Sequence, residues 1–156
     1  MAALNVGAKA PDFELDGSTG KTKLSDLLAS HGYVILAFFP ASFSPTCTDE
    51  LNLFQEVSGE FAKLGAQMVG ISVDGKWAQQ AFAKQGNLEF PVLADFHPQG
   101  AVAEKYGVLR SDGTAERALF IIGKDGVIRY SYVSEIGKNP GADRLLEELE
   151  KMTAPA

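Results

Sequence analysis

Cysteine is nearly absent from this sequence, because Cys47 is the only one among 156 residues. A single cysteine cannot form an internal disulfide, and it cannot build a cysteine-rich zinc site, so both kinds of scaffold are excluded. An excess of positive charge is also lacking. The formal net charge is −6 and no stripe of lysine and arginine occurs, which argues against a nucleic-acid partner.

Long hydrophobic runs are missing as well. No segment approaches the roughly 20 apolar residues that cross a bilayer, so no membrane partner is expected. The first residues, MAALNVGAKAPDF, lack the charged start and long apolar stretch of a signal peptide, and together with a free thiol they predict a cytoplasmic protein. The length and ordinary globular composition predict one domain over residues 1–156.

The apolar periodicity predicts alternating strands and helices. An N-terminal hairpin is predicted over 11–24, and Ser25 is predicted as the N-cap of a short helix, Asp26–Ser30. The other predicted elements are strands at Tyr33–Phe39, Gln67–Val73 and Phe90–Ala94, helices at Thr48–Leu64, Lys76–Gln85, Gln99–Tyr106 and Pro140–Met152, and a hairpin of Arg117–Ile122 with Val127–Val133. This order predicts a three-layer α/β/α fold whose mixed central sheet has a parallel core and an antiparallel hairpin.

Cys47 follows the first central strand, in the segment FFPASFSPTCTDEL. If Ser44 is the N-cap of the next helix, Pro45 takes the first helical position and Cys47 lies in the first turn, where unpaired N–H groups favour a thiolate. That effect is only about 0.3–1 kcal/mol, so a strong nucleophile needs a cation from elsewhere in the fold. A lone cysteine usually packs in a core, but its polar neighbours here predict a position outside the core.

The spacing of Pro40, Ser44 and Cys47 is Pro-x-x-x-(Thr/Ser)-x-x-Cys, which resembles the active-site motif of the peroxiredoxins. The similarity continues at Phe90–Asp95, Ala103–Val108, Arg117–Ile122 and Asp125–Ile128, and it covers the chain from about Val6 to Leu149. The resemblance implies a thioredoxin-like fold with an N-terminal β-hairpin extension. It implies no metal, flavin or haem.

The resemblance also implies a role for each matching residue. Cys47 resembles the peroxidatic cysteine, and Arg117 the arginine that supplies the cation and can hold a peroxide oxygen. Ser44 stands where threonine is usual, and its hydroxyl can bridge thiolate and peroxide. Pro40 would shield the thiolate from water, and Glu50 would orient the arginine. Taken alone, Arg117 can also be an exposed strand charge and Ser44 a helix cap. Pro40 can be a strand terminator, and Glu50 a charge that favours the helix N-terminus.

The missing second cysteine implies a one-cysteine mechanism. Some relatives carry a resolving cysteine five positions on, where this chain has Asn52. The reductant is therefore expected to be an external thiol: a thioredoxin, a glutaredoxin- or mycoredoxin-like protein, or a low-molecular-weight thiol. The segment Asp95–Val102 is most similar to the one-cysteine alkyl hydroperoxide reductase E group, followed by the bacterioferritin comigratory protein branch. The family commonly forms homodimers or larger rings, and Phe43 is a candidate contact.

The function implied is a thiol-dependent peroxidase that reduces hydrogen peroxide, organic hydroperoxides or both through a sulfenic acid at Cys47. One alternative is a non-enzymatic thioredoxin-fold redox sensor or binding module, in which oxidation of Cys47 switches a partner. Another is a cysteine hydrolase with His31 or His97 as its base, although no acyl-transfer motif surrounds Cys47.

Overall fold

The computed structural model describes residues 2–153. In chain order, its elements are β1 (Glu14–Leu15), β2 (Thr22–Lys23), α1 (Leu24–Ser30), β3 (Tyr33–Phe38), α2 (Pro45–Glu56), α3 (Ser58–Lys63), β4 (Ala66–Ser72), α4 (Lys76–Gly86), β5 (Val92–Ala94), α5 (Ala101–Lys105), β6 (Arg117–Gly123), β7 (Ile128–Ser134) and α6 (Asp143–Thr153). Among these residues, no helix is both long enough and apolar enough to cross a membrane.

The central sheet has the strand order β5-β4-β3-β6-β7. Strands β3, β4 and β5 are parallel, whereas β6 is antiparallel to β3 and to β7. The predicted mixed sheet is therefore confirmed, and so is the small hairpin of β1 and β2. Residues 34–38 of β3 have no exposed surface, as expected for the middle strand of a sheet that is covered on both faces.

Alternate residues of β3 enter two hydrophobic clusters, one on each face of the sheet. Leu36 and Phe38 join the cluster that contains Leu28 of α1 and Tyr106, next to α5. Ala37 enters the other cluster, whose helical members include Leu51, Phe54, Phe61, Phe82, Leu145 and Leu149 from α2, α3, α4 and α6. Helices therefore cover both faces, and the predicted three-layer α/β/α arrangement is confirmed.

The bounds of two predicted helices differ from those observed. Ser25 is not an N-cap: α1 begins at Leu24, and the N–H of Ser25 donates to Asp12 Oδ1 (3.0 Å). The helix predicted at Thr48–Leu64 begins at Pro45 and divides at Val57, where Ser58 Oγ donates to the carbonyl of Gln55 (2.8 Å).

The last helix begins at Asp143 and not at Pro140. Gly141 lies between them with φ +76°, a left-handed conformation that glycine adopts readily and that interrupts a right-handed helix. The remaining boundaries lie within about two residues of the predicted ones, which is the scatter usual at fraying element ends.

Candidate active site

The N-terminus of α2 lies beyond the carboxyl end of β3, at the edge where parallel sheets usually bind ligands. Ser44 is the N-cap, with φ −67° and ψ 148°, and its Oγ accepts a hydrogen bond from the N–H of Cys47 (3.3 Å). Pro45 follows at the start of the helix, where its missing N–H leaves no hydrogen bond unmade. The predicted cap is confirmed.

Cys47 has no exposed surface, so the prediction that it lies outside the core is wrong. Its side chain belongs to the same cluster as Leu51 and Phe54. The polar neighbours Thr46 and Thr48 are only partly buried. Because residues three and four apart share a helix face, the first turn directs Cys47 inward while its sequence neighbours face outward.

Arg117 supplies the cation that the thiol lacks among its sequence neighbours. Its Nη1 donates to Cys47 Sγ (3.3 Å) and to Glu50 Oε1 (2.8 Å). The interpretation of Arg117 as a solvated strand charge is wrong, because only 2% of the residue is exposed. The antiparallel register of β3 and β6 pairs Phe38 with Ala118, which places the first residue of β6 next to the loop that leads into α2.

The carbonyl of Ile136 holds the other side of the guanidinium. It accepts hydrogen bonds from Arg117 Nε (3.0 Å) and Nη2 (2.8 Å). The loop that presents this carbonyl is fixed by Ser134, the residue opposite Arg117 on β7, whose Oγ donates to the carbonyl of Lys138 (3.0 Å). Ile136 was not predicted from the sequence, because a backbone carbonyl contributes no residue-type signal.

Glu50 lies one turn after Cys47 and is completely buried. Burial raises the pKa of Glu50 to about 7, and the hydrogen bond and charge of Arg117 oppose this shift without cancelling it. Its Oε2 has no hydrogen-bond partner within the described part of the chain. Desolvation of this carboxylate, one oxygen of which no donor reaches among the described residues, is the largest cause of the upward shift in pKa.

The pKa of Arg117 is shifted by opposing influences. Burial lowers the pKa, but the hydrogen bonds and charges of Cys47 and Glu50 raise it by more. The pKa of Arg117 therefore lies above its ordinary value. Arg117 is therefore a permanent cation in contact with a buried sulfur. Its planar fork can hold an oxygen of an incoming substrate while it contacts the sulfur.

The remaining predicted residues, Pro40, His31 and His97, are not part of this hydrogen-bonded group. Pro40 is half-buried at the start of the loop from β3 to Ser44. His97 is exposed. His31 precedes β3, at the opposite end of that strand from Cys47, and its Nδ1 lies 3.1 Å from the carbonyl of Leu27. Among the described residues, the side chain that is hydrogen-bonded to the Cys47 sulfur is Arg117 and not a histidine, whereas a hydrolase base needs to lie within hydrogen-bond reach of the thiol.

Comparison with known proteins identifies the family. The profile of the AhpC/TSA family matches residues 6–131, which is most of the chain. The chain belongs to this family and is a peroxiredoxin. Its solved relatives include the peroxidoxin BcpB from Mycobacterium tuberculosis, which is 35% identical with a TM-score of 0.88 over 99% of this chain and 100% of that one. The thioredoxin-like fold is thereby confirmed.

Curated peroxiredoxins of two kinds are similar to this chain. The chloroplastic 2-cysteine peroxiredoxin of Chattonella marina var. antiqua is 35% identical over 95% of this chain and 80% of its own length. Alkyl hydroperoxide reductase E of Mycobacterium bovis is 35% identical over 86% of this chain and 89% of its own length. This peroxiredoxin has one cysteine and is a thiol-dependent peroxidase of the one-cysteine type, so the prediction of an enzyme and not a binding module is confirmed.

Proposed function

We propose that Cys47 is the nucleophile that attacks the peroxide, and that Arg117, Ser44, Glu50 and Pro40 support the attack. One observation carries the assignment: Arg117 Nη1 donates both to Cys47 Sγ (3.3 Å) and to Glu50 Oε1 (2.8 Å), beside a capped helix N-terminus. A buried thiol in contact with a buried cation is a chemical arrangement that an inert core cysteine does not need.

The proposed reaction is a direct displacement. The Cys47 thiolate attacks one peroxide oxygen, the S–O bond forms as the O–O bond breaks, and the leaving oxygen takes a proton to depart as water or an alcohol. The product on the enzyme is a sulfenic acid. Arg117 donors and the Ser44 hydroxyl stabilise the charge that moves onto the leaving oxygen, where fixed donors have their largest effect.

Glu50 and Pro40 have supporting roles in this proposal. Glu50 holds Arg117 through one carboxylate oxygen, and the Ile136 carbonyl holds it from the other side, so the guanidinium cannot rotate away from the sulfur. Pro40 lies at the start of the loop between β3 and α2 and has no N–H to offer solvent. It limits the access of bulk water to the thiolate from the side of this loop.

The reductant is proposed to be an external thiol, because Cys47 is the only cysteine of the chain. A thioredoxin, a glutaredoxin- or mycoredoxin-like protein, or a low-molecular-weight thiol can fill this role. We also propose that the protein acts in the cytoplasm as a homodimer or larger ring. The proposed contact between subunits is the side chain of Phe43, which lies in the active-site loop and is 48% exposed. Solution mass of the wild type and of Phe43→Ser tests this assembly.

The catalytic assignment is tested by mixing the reduced protein rapidly with one equivalent of hydrogen peroxide. Intact mass and a sulfenate-trapping reagent then report the product. We expect the wild type to gain one oxygen at Cys47 within the first time points, and Cys47→Ser to gain none. Cys47→Ser that still consumes peroxide at the wild-type rate would remove Cys47 from the reaction.

A further inference from the structure

A polar cluster, half of whose members are fully buried, lies beside the active site and has no part in the displacement described above. It consists of Ser72 at the end of β4, Asp74 in the following turn, Gln79 on α4 and Ser42 in the active-site loop. Gln79 and Ser72 have no exposed surface. Buried polar groups are costly unless all of their hydrogen bonds are made, so the cluster requires a structural or functional reason.

Three hydrogen bonds hold the side-chain amide of Gln79. Its Nε2 donates to Ser72 Oγ (2.8 Å) and to the carbonyl of Leu93 (2.8 Å), which ties it to β4 and β5. Its Oε1 accepts from Ser42 Oγ (2.5 Å). The amide therefore connects two neighbouring strands to the loop that precedes Cys47.

Asp74 binds the same loop residue by a second route. Its Oδ2 accepts from the backbone N–H of Ser42 (2.8 Å) and from Ser72 Oγ (2.5 Å). Both polar donors of Ser42, the hydroxyl and the N–H, are thus held by groups that the sheet itself fixes in place.

The next residue, Phe43, adopts a conformation that requires such support. Its φ is +71°, in the left-handed region that side chains other than glycine rarely occupy, because the Cβ is crowded there. On one side Ser42 is held by the cluster, and on the other Ser44 caps α2 by accepting from Cys47 N. The Phe43 ring packs edge-on against Phe82, with 5.2 Å between ring centroids.

We propose that Gln79 is a positioning residue for peroxide reduction: through Ser42 it holds the left-handed turn at Phe43, and this turn places Ser44 and the first turn of α2 around Cys47. The inference rests on the proposed role of Cys47. Catalytic groups that move by about 1 Å lose up to about 100-fold in rate, so a remote anchor of this kind has a measurable effect on the chemistry.

The test uses Gln79→Leu, which removes all three hydrogen bonds at similar size, and Ser42→Ala, which removes only the bond to Gln79. The readout is the second-order rate constant of sulfenate formation at Cys47, measured by quenched mixing and intact mass. We expect each variant to react about 10- to 100-fold more slowly, and the double variant to lose little more than the slower single one. Ser42→Thr, which retains the hydroxyl, should restore most of the rate.

A matched control separates positioning from general destabilisation. Tyr106→Phe removes the hydrogen bond from Tyr106 Oη to the Pro11 carbonyl (2.7 Å); Tyr106 belongs to the cluster on the opposite face of the sheet from Cys47. It should lower the melting temperature and leave the rate unchanged. A rate loss in Tyr106→Phe equal to that in Gln79→Leu would overturn the proposal.

Ser42→Ala carries the test by itself if Gln79→Leu does not fold. The proposal fails if folded Ser42→Ala forms the sulfenate as fast as the wild type and as fast as Ser42→Thr. Failure of the proposed function is distinguished from failure of this inference alone by the wild-type rate. If the wild type does not form the sulfenate rapidly, the proposed role of Cys47 and this inference are both overturned.

Discussion

Two arginine–carboxylate pairs in this protein have similar geometry and opposite surroundings. Arg144 Nε donates to Glu148 Oε1 at 3.0 Å on the surface of α6, where the arginine side chain is 64% exposed. Arg117 Nη1 donates to Glu50 Oε1 at 2.8 Å, where the two side chains are 2% and 0% exposed. Each pair also contacts a third group: Glu148 meets the exposed ammonium of Lys151 (3.8 Å), whereas Arg117 meets the buried sulfur of Cys47 (3.3 Å).

The comparison indicates what each pair contributes. The surface pair, spaced four residues apart on a helix, is worth about 0.3–0.5 kcal/mol. Burying two charges costs several kcal/mol per ion, which the mutual attraction offsets only with good geometry, so stability alone is a weak reason to retain the Arg117 pair. Its contact with Cys47 gives a better reason, because the pair holds a fixed positive charge against a thiol that water does not reach.

The largest effect is expected from breaking the buried pair. Arg117→Met should lower the rate constant of sulfenate formation by about 100- to 1,000-fold, because a fixed donor to the reacting atoms is lost. At pH 8, above the pKa of Glu50, the free energy of unfolding should fall by about 3–5 kcal/mol, because Glu50 loses its hydrogen-bonded partner and must take up a proton or stay buried as an unpaired charge. Quenched mixing and urea unfolding measure the two quantities.

A double variant, Arg117→Met with Glu50→Gln, sharpens this prediction. Removing both charges should recover much of the stability, since no unpaired buried charge remains, but it should recover none of the rate. Recovery of the rate in the double variant would show that Arg117 acts only by stabilising the fold.

The second effect concerns the pH dependence of stability. Burial raises the pKa of Glu50 from 4.5 to about 7, so the folded state holds this proton to higher pH than the unfolded chain does. The stabilisation from Glu50 is then complete below about pH 4.5 and is lost as the pH rises through about 7, by at most about 1.4 kcal/mol for each pH unit. Urea unfolding between pH 4.5 and 8 measures the loss.

Glu50→Gln provides the comparison, because the amide cannot titrate and still offers an oxygen to Arg117. The stability of Glu50→Gln relative to the wild type should therefore increase with pH across this window. Parallel stability curves for the two proteins would contradict the raised pKa of Glu50.

A smaller effect is expected at the helix cap. Ser44→Val removes the acceptor for Cys47 N and should cost about 1 kcal/mol of stability, with about a tenfold loss of rate for the missing hydroxyl. Ser44→Thr should stay near the wild type in both quantities. Equal rates of sulfenate formation in Ser44→Val and Ser44→Thr would show that Ser44 only caps the helix.

The smallest effect is expected at the surface pair. Arg144→Ala should lower the free energy of unfolding by no more than about 0.5 kcal/mol and leave the rate of peroxide reduction unchanged. A large rate loss in Arg144→Ala would remove the contrast between the two pairs.

Features that depend on neighbouring residues were predictable from the sequence. Ser44, Pro45 and Cys47 lie within four consecutive residues, so their types alone indicate a cap, a first helical position and a thiol in the first turn. The strands were equally predictable, because an apolar run such as Tyr33–Phe38 is too short for a typical helix and rich in aromatic and branched residues.

Contacts between distant parts of the chain were not predictable from local pattern. Arg117 lies 70 residues after Cys47, and only the resemblance to the peroxiredoxins connected the two. Gln79 and Ile136 had no signal at all: a glutamine on a helix is ordinarily a surface residue, and a backbone carbonyl is the same for every residue type. The anchor of the active-site loop and the carbonyl that holds Arg117 therefore emerged from the structure.

The sequence by itself determined the alternation of strands and helices, the cap of α2 and the one-cysteine chemistry, because each depends on residue type and on neighbours a few positions away. The tertiary structure decided that Cys47 is buried, that Arg117 contacts it and that Glu50 and the Ile136 carbonyl hold this arginine. The pairing of β6 with β3 brings these groups together, and burial from water then strengthens the interaction of their charges.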